Sequence, residues 1–139
     1  PNTPVYTATK AAVQAITENL HFQVQAAELP VKIHALFPGP HVVETGLFNS
    51  ERNRPADVAA DPDQPDSGIH SVDDMRKMMA EYGMKLETTT PQQVAAMALE
   101  GVREGRFWIL QQTERSRDAL RQRLQWIEER KNPTPPNVL

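Results

Sequence analysis

Between Thr3 and about Leu29 the apolar positions recur at helical spacing: Ala12, Ile16 and Leu20 form one row, with Val13 and Val24 beside it. Thr3 suits a cap and Pro4 a first helical turn, so the stretch predicts an amphipathic helix that Pro30 stops. The pattern then changes to VKIHALF, Val31 to Phe37, a branched and apolar run closed by Pro38-Gly39-Pro40, which predicts a buried strand ending in a turn. A second passage of the same kind follows. Thr90-Pro91 opens a helix carried by Val94, Ala95, Met97, Ala98 and Val102, Gly105 ends it, and RFWIL, Arg106 to Leu110, predicts another strand. Glu114 to Lys131 is a charged amphipathic helix with Leu120, Leu124 and Ile127 on one face, before Pro133, Pro135 and Pro136. Helices alternating with short apolar strands define the α/β class.

Between these two passages the apolar signal thins. Asn49 to Ser71 is rich in Asp, Pro, Asn and Gly and holds too few apolar residues to order itself, so 49–71 predicts a mobile loop; 132–139 predicts a disordered tail. Val72 to about Met84 predicts a short helix with Met75, Met78, Met79 and Tyr82 toward one side, weakened or ended by Gly83. No internal repeat is visible.

A chain of 139 residues is the size of one modest domain. It opens at Pro1 rather than Met, with its most chemically suggestive residues close to that end, where termini fray unless held; this predicts a fragment of a longer protein. A net charge of -3 without a long basic run excludes a dedicated nucleic-acid surface. Cysteine is absent, which removes disulfide and thiolate chemistry and fits a cytoplasmic protein. No apolar run approaches the roughly 20 residues needed to span a bilayer, so no membrane partner is expected. His21, His34, His41 and His70 lack ligand spacing, so no metal site is expected; Trp108 and Trp126 read as core or interface anchors.

The first helix opens VYTATKAAVQAI, with Tyr6 and Lys10 four residues apart and therefore on one face. A free tyrosine, with a pKa near ~10, is a poor base at neutral pH. A lysine ammonium one turn away favours the phenolate and moves the group toward the range of an acid/base catalyst. Taken by themselves the two side chains could equally cover the start of an amphipathic helix, the lysine stem packed and its head in water.

Tyr-Thr-Ala-Thr-Lys on a helix, a strand ending Phe37-Pro38-Gly39, and the later run TTPQQVAAMALEGVREGRFWIL, in that order, resemble the short-chain dehydrogenase/reductase family. Its YxxxK motif is matched by Tyr6 and Lys10, its Pro-Gly turn by Pro38 and Gly39, and its downstream threonine by Thr45. The resemblance implies the C-terminal portion of a Rossmann-like doubly wound parallel sheet, incomplete in this chain, with 1–139 forming part of a single domain. It implies an NAD(P)-dependent oxidoreductase, with Tyr6 as proton relay and Lys10 also hydrogen-bonding the ribose of NAD or NADP. Backbone groups after the Pro-Gly turn would hold the nicotinamide carboxamide. PGPHVVET is about two residues longer than the commoner PGxVxT, so Val42 and Val43 stand as alternatives there, with Thr45 on the carboxamide or pyrophosphate. The implied partners are a small, apolar carbonyl or alcohol substrate and further copies of the chain in a homodimer or homotetramer.

The family's glycine-rich phosphate loop and its catalytic serine and asparagine lie upstream of the tyrosine and have no counterpart here, so the fragment itself is expected to bind cofactor poorly and to be inactive. Leu47, Phe48 and the methionines Met75, Met78, Met79 and Met84 fall where the family keeps its substrate lid, although a methionine stripe serves packing as readily. The alternative from another class is a non-catalytic helical interaction module, docking through the small face Ala8, Ala11 and Ala15 and the charged last helix.

Overall fold

Helix and strand alternate as the apolar pattern predicts. The structure, a computed structural model, describes residues 4–58, 63 and 68–134. In chain order the elements are α1 (Pro4–Ala26), β1 (Ala35–Phe37), β2 (Val42–Val43), a 3-10 segment (Gly46–Asn53), α2 (Val72–Glu81), β3 (Thr88–Thr89), α3 (Pro91–Arg103), β4 (Trp108–Leu110) and α4 (Glu114–Glu128). The fold is mixed α/β with two small parallel sheets.

β1 pairs with β4, setting Ala35 opposite Trp108, Leu36 opposite Ile109 and Phe37 opposite Leu110. The Ala35 N–H donates to the Phe107 carbonyl at 2.7 Å. β2 pairs with β3 in the same parallel sense, Val42 opposite Thr88 and Val43 opposite Thr89. Parallel partners need a crossover, and here the connections carry α2 and α3.

The packing centre is where α3 lies on β4. Ile109 is only 2 % exposed, and Gly101 of α3 is buried against it. A Cβ added at Gly101 would stand 2.6 Å from Ile109 Cδ1, so the helix approaches the strand this closely only because residue 101 has no side chain. Thr90 holds the start of α3: its hydroxyl accepts from the Gln93 N–H at 3.2 Å, while Gln93 Oε1 accepts from the Thr90 N–H at 2.8 Å. Thr113 and Ser116 repeat this box at α4.

Several predicted boundaries move. Of the VKIHALF run only Ala35–Phe37 pairs, because β4 is three residues long, and only Ala35 of that trio is buried. The second strand likewise begins at Trp108 rather than Arg106. The helix predicted to about Met84 ends at Glu81, where Gly83 at φ 68° lets its own N–H reach Ala80 O and the Met84 N–H reach Met79 O. The last helix stops at Glu128 instead of Lys131, with Arg130 at φ 54° making the same kind of reversal. β2 and β3 are not foreseen in the apolar pattern. The stripe of α1 is exposed at Val13, Ile16 and Leu20 and buried only at Val24. The predicted mobile loop 49–71 begins inside the 3-10 segment, where Arg52 Nη1 donates to Gly46 O at 2.7 Å; its residues 59–62 and 64–67, like 135–139 of the predicted tail and Thr3 of the predicted cap, lie outside the described residues.

Gly101→Ala forces Ile109 or α3 to shift and should cost about 1–3 kcal/mol of unfolding free energy. Urea denaturation measures it, and an unchanged midpoint would mean that the helix and strand are not in this contact.

Candidate active site

α1 runs opposite to the strand pair. Its later turns meet the start of β4: the His21 and Phe107 rings lie 4.6 Å apart between centroids, and Glu18 shares a groove with Phe107 and Trp108. Earlier in the helix, Gln14 faces Phe37 and Leu110, the last residues of β1 and β4, across a groove of about 500 Å3. Gln14 Nε2 donates to Glu18 Oε1 at 2.9 Å, along the same helix face. Residues four apart share a face, so Lys10 and Tyr6 continue this row about 6 and 12 Å farther on at a rise of about 1.5 Å per residue. The row therefore extends past the carboxyl ends of the strand pair, where open α/β sheets place their ligands.

Tyr6 and Lys10 converge. The Lys10 ammonium stands 5.5 Å from the centroid of the Tyr6 ring, within cation–π range, and the tyrosine is 62 % exposed. The phenol and the cation thus occupy one solvent-facing corner.

The Pro38-Gly39 turn leaves the end of β1 at the same pole. Gly39 and Pro40 line a groove of about 430 Å3 with Phe37, Leu110 and Leu120, three residues that also wall the Gln14 groove. A Cβ built on Gly39 would meet nothing within 4 Å, so this backbone lies open on its outer side.

Val42, Val43 and Thr45 form a second group. The two valines are held in register by β3, and the Glu44 N–H donates to Thr89 O at 3.0 Å. The Thr88 hydroxyl donates to Glu44 Oε1 at 2.6 Å, which fixes the chain just before Thr45. Thr45 is exposed, and its hydroxyl makes no capping bond to the 3-10 segment that follows. Pro40 joins the two groups, since it lines both the Gly39 groove and a second one, of about 470 Å3, that contains Val42.

α2 borders that second groove through Met79. Ser71 caps the helix by accepting from the Asp74 N–H at 3.1 Å, and the Asp74 carboxylate accepts from the Ser71 hydroxyl at 2.7 Å and from the His70 N–H at 3.2 Å. The hydroxyl first, and then the backbone N–H, hold the Asp74 pKa below the ordinary aspartate value. Gln14, Lys85, Glu87 and Arg115 line these grooves and were not singled out by sequence reasoning. Among the described residues no group of three or more His, Asp or Glu is placed to hold a metal, and no helix is long and apolar enough to cross a membrane.

The chain is similar to a protein named CLA biosynthesis dehydrogenase/reductase from Lactiplantibacillus plantarum, with 27% identity over 112 residues. The match covers 79% of this chain and 37% of that relative, so the chain spans little more than a third of its length. No protein-family profile matches the sequence, and no solved structure matches it.

Because its folded pKa is lowered, Asp74 contributes stability that is fully present above the unfolded value of about 3.9 and is lost as pH falls through the lowered folded one. Followed by carbon NMR of its carboxyl group, Asp74 should titrate below free aspartate, and Ser71→Ala should move the midpoint upward. A midpoint unmoved by that change would remove the hydroxyl as the cause.

Proposed function

We propose that this chain is the C-terminal part of an NAD(P)-dependent oxidoreductase of the short-chain dehydrogenase/reductase type, in which β1 and β4 are two strands of a larger Rossmann-like sheet. The observation that carries this reading is the convergence of Tyr6 and Lys10 on one helical turn, 5.5 Å from ammonium to ring centroid, in a row that extends past the carboxyl ends of a parallel strand pair. The distant dehydrogenase/reductase relative supports it independently.

The residues present fit the nicotinamide-ribose end of NAD or NADP. Gly39 leaves backbone accessible, and Lys10 offers three N–H donors on a flexible stem to ribose hydroxyls. β2 pairs with one neighbour, so its other edge offers backbone groups of Val42 or Val43 to a carboxamide, with Thr45 beyond them. A phosphate cradle of the glycine-rich type is not in this sequence, so the pyrophosphate needs the rest of the protein.

Bound NAD(P)H supplies the hydride that reduces a carbonyl carbon. Tyr6 holds a proton at Oη and delivers it to the carbonyl oxygen, giving the secondary alcohol; in the opposite direction the phenolate accepts that proton. Lys10 stands beside the Tyr6 ring, and the exposure of Tyr6 allows exchange with water afterwards. The substrate is a small apolar carbonyl compound or alcohol, in a cytoplasmic enzyme. Exposure of Val13, Ile16 and Leu20 on α1 supports assembly into a homodimer or homotetramer and equally favours a second reading, in which α1 is the docking helix of a non-catalytic module.

In the full-length protein, assayed by NADH and NADPH oxidation against a carbonyl panel, Tyr6→Phe should lower kcat about 100- to 10,000-fold. Unchanged turnover would take Tyr6 out of the mechanism, and absence of any turnover in the wild type would favour the module. Gly39→Ala should leave the melting temperature unchanged, because the new methyl meets nothing, and should weaken cofactor binding measured by fluorescence titration. Equal binding would place the nicotinamide elsewhere.

A further inference from the structure

At the amino end of the strand pair, away from Tyr6 and Lys10, α1 and the residues entering β4 enclose a groove of about 220 Å3 lined by Glu18, His21, Phe22, Phe107 and Trp108. Glu18 follows Tyr6 on α1 by about 18 Å of helix axis at a rise of about 1.5 Å per residue, so this groove is separate from the proton relay. Its walls are mostly rings. Phe107 and Trp108 meet at 89° with centroids 4.8 Å apart, and the His21 ring stands 4.6 Å from Phe107 and 5.9 Å from Phe22. Rings at a right angle make a corner in which one ligand group can lie within the ~6 Å over which an aromatic face attracts a cation. Glu18 precedes His21 and Phe22 by three and four residues, so its carboxylate shares their side of α1. It is the one carboxylate among the described residues of this lining. Its Oε1 accepts from Gln14 Nε2 at 2.9 Å, and it makes no ion pair among the described residues. The wall thus joins ring faces to an anion, with neither lysine nor arginine in it.

We propose that this groove is a binding site for the headgroup of a small quaternary-ammonium compound, its methylated nitrogen in the Phe107–Trp108 corner with His21 and Phe22 beside it and the Glu18 carboxylate balancing its charge. The wall selects this class of cation. A primary ammonium brings three N–H donors that need acceptors, whereas Phe22 and Phe107 have no hydrogen-bonding side-chain atom, the Trp108 indole is a donor only, and Glu18 already holds an amide. A quaternary ammonium has no N–H to satisfy and sets its methyl groups against the ring faces, where the ring quadrupole attracts the charge. The groove is smaller than the roughly 300–1,000 Å3 of sites for drug-sized ligands, so the headgroup alone enters it. The remainder of the compound leaves past Phe22, which is 62 % exposed.

The test uses the full-length protein at pH 8, where an ordinary imidazole is neutral, with choline and its uncharged isostere 3,3-dimethyl-1-butanol as probes in titration calorimetry. The wild type should bind choline about tenfold more tightly than the isostere, and tetramethylammonium more tightly than methylammonium. Phe22→Leu keeps apolar bulk and removes a ring; Glu18→Gln keeps an acceptor for Gln14 and removes the charge. Each should weaken choline binding about 3- to 10-fold while leaving the isostere's affinity and the melting curve unchanged. Equal binding of choline and the isostere by the wild type overturns the proposal without recourse to any variant, as does methylammonium binding as tightly as tetramethylammonium. A choline preference that survives in the two variants combined overturns it as well. A trimethyllysine peptide that bound more tightly than choline would assign the groove to a protein partner and overturn the small-molecule assignment. Binding is read without turnover, so each outcome stands whether or not Tyr6 relays a proton.

Discussion

One close approach, Gly101 of α3 against Ile109 of β4, fixes the geometry on which the rest depends. Ile109 is the most deeply enclosed large side chain among the described residues, and the hydrophobic core around it extends only to Ala35 and Val24. Through this contact α3 positions β4, β4 positions β1 by three residue pairs, and β1 delivers the Pro-Gly turn to the carboxyl pole. α1 is then registered against the same strand by the His21–Phe107 ring contact, which determines how far Tyr6 and Lys10 extend beyond the strand ends. A core of so few residues transmits any displacement directly, because close-packed interiors have no slack to absorb it.

The chain leaves much apolar surface in water. Ile16 and Phe22 on α1 and Leu120, Leu124 and Ile127 on α4 are more than half exposed. An amphipathic helix gains most of its stability from burying its apolar face, and the described residues leave these faces uncovered. Long α1 is nevertheless continuous through Ala26, where Glu28 at φ 51° turns the chain back and the Leu29 N–H reaches Val24 O.

The two grooves at the carboxyl pole both have mixed linings. Around Gly39, aromatic and aliphatic walls and open backbone stand with Arg123; around Val42, aliphatic walls stand with Lys85 and Arg115. Pro40 stands between them, so an extended ligand can contact both. Tyr6 and Lys10 at the tip of α1, open backbone at the turn and the charged residues of α4 come from three separate elements arranged about one strand pair.

Helix positions were legible in the sequence because their signals are local: Thr90-Pro91 with Gln93 forms a capping box, Thr113 caps α4, and Gly83 and Gly105 mark helix ends through positive φ. The Tyr6–Lys10 convergence was legible for the same reason, since a spacing of four on a helix dictates proximity whatever surrounds it. Strand length was not, because Val31 to His34 have strand propensity but no strand pairing among the described residues: pairing depends on how many residues β4 offers from across the chain. β2 and β3 were invisible for a stronger version of that reason, two residues each with no period to read. The Val42–Met79–Lys85–Arg115 groove gathers residues more than 70 positions apart, so only the crossovers that bring those segments to one pole decided its existence and its charge. By itself the sequence determined which segments are helical and which pair of side chains shares a turn; tertiary structure decided what lies opposite them, because that depends on contacts between residues far apart in the chain.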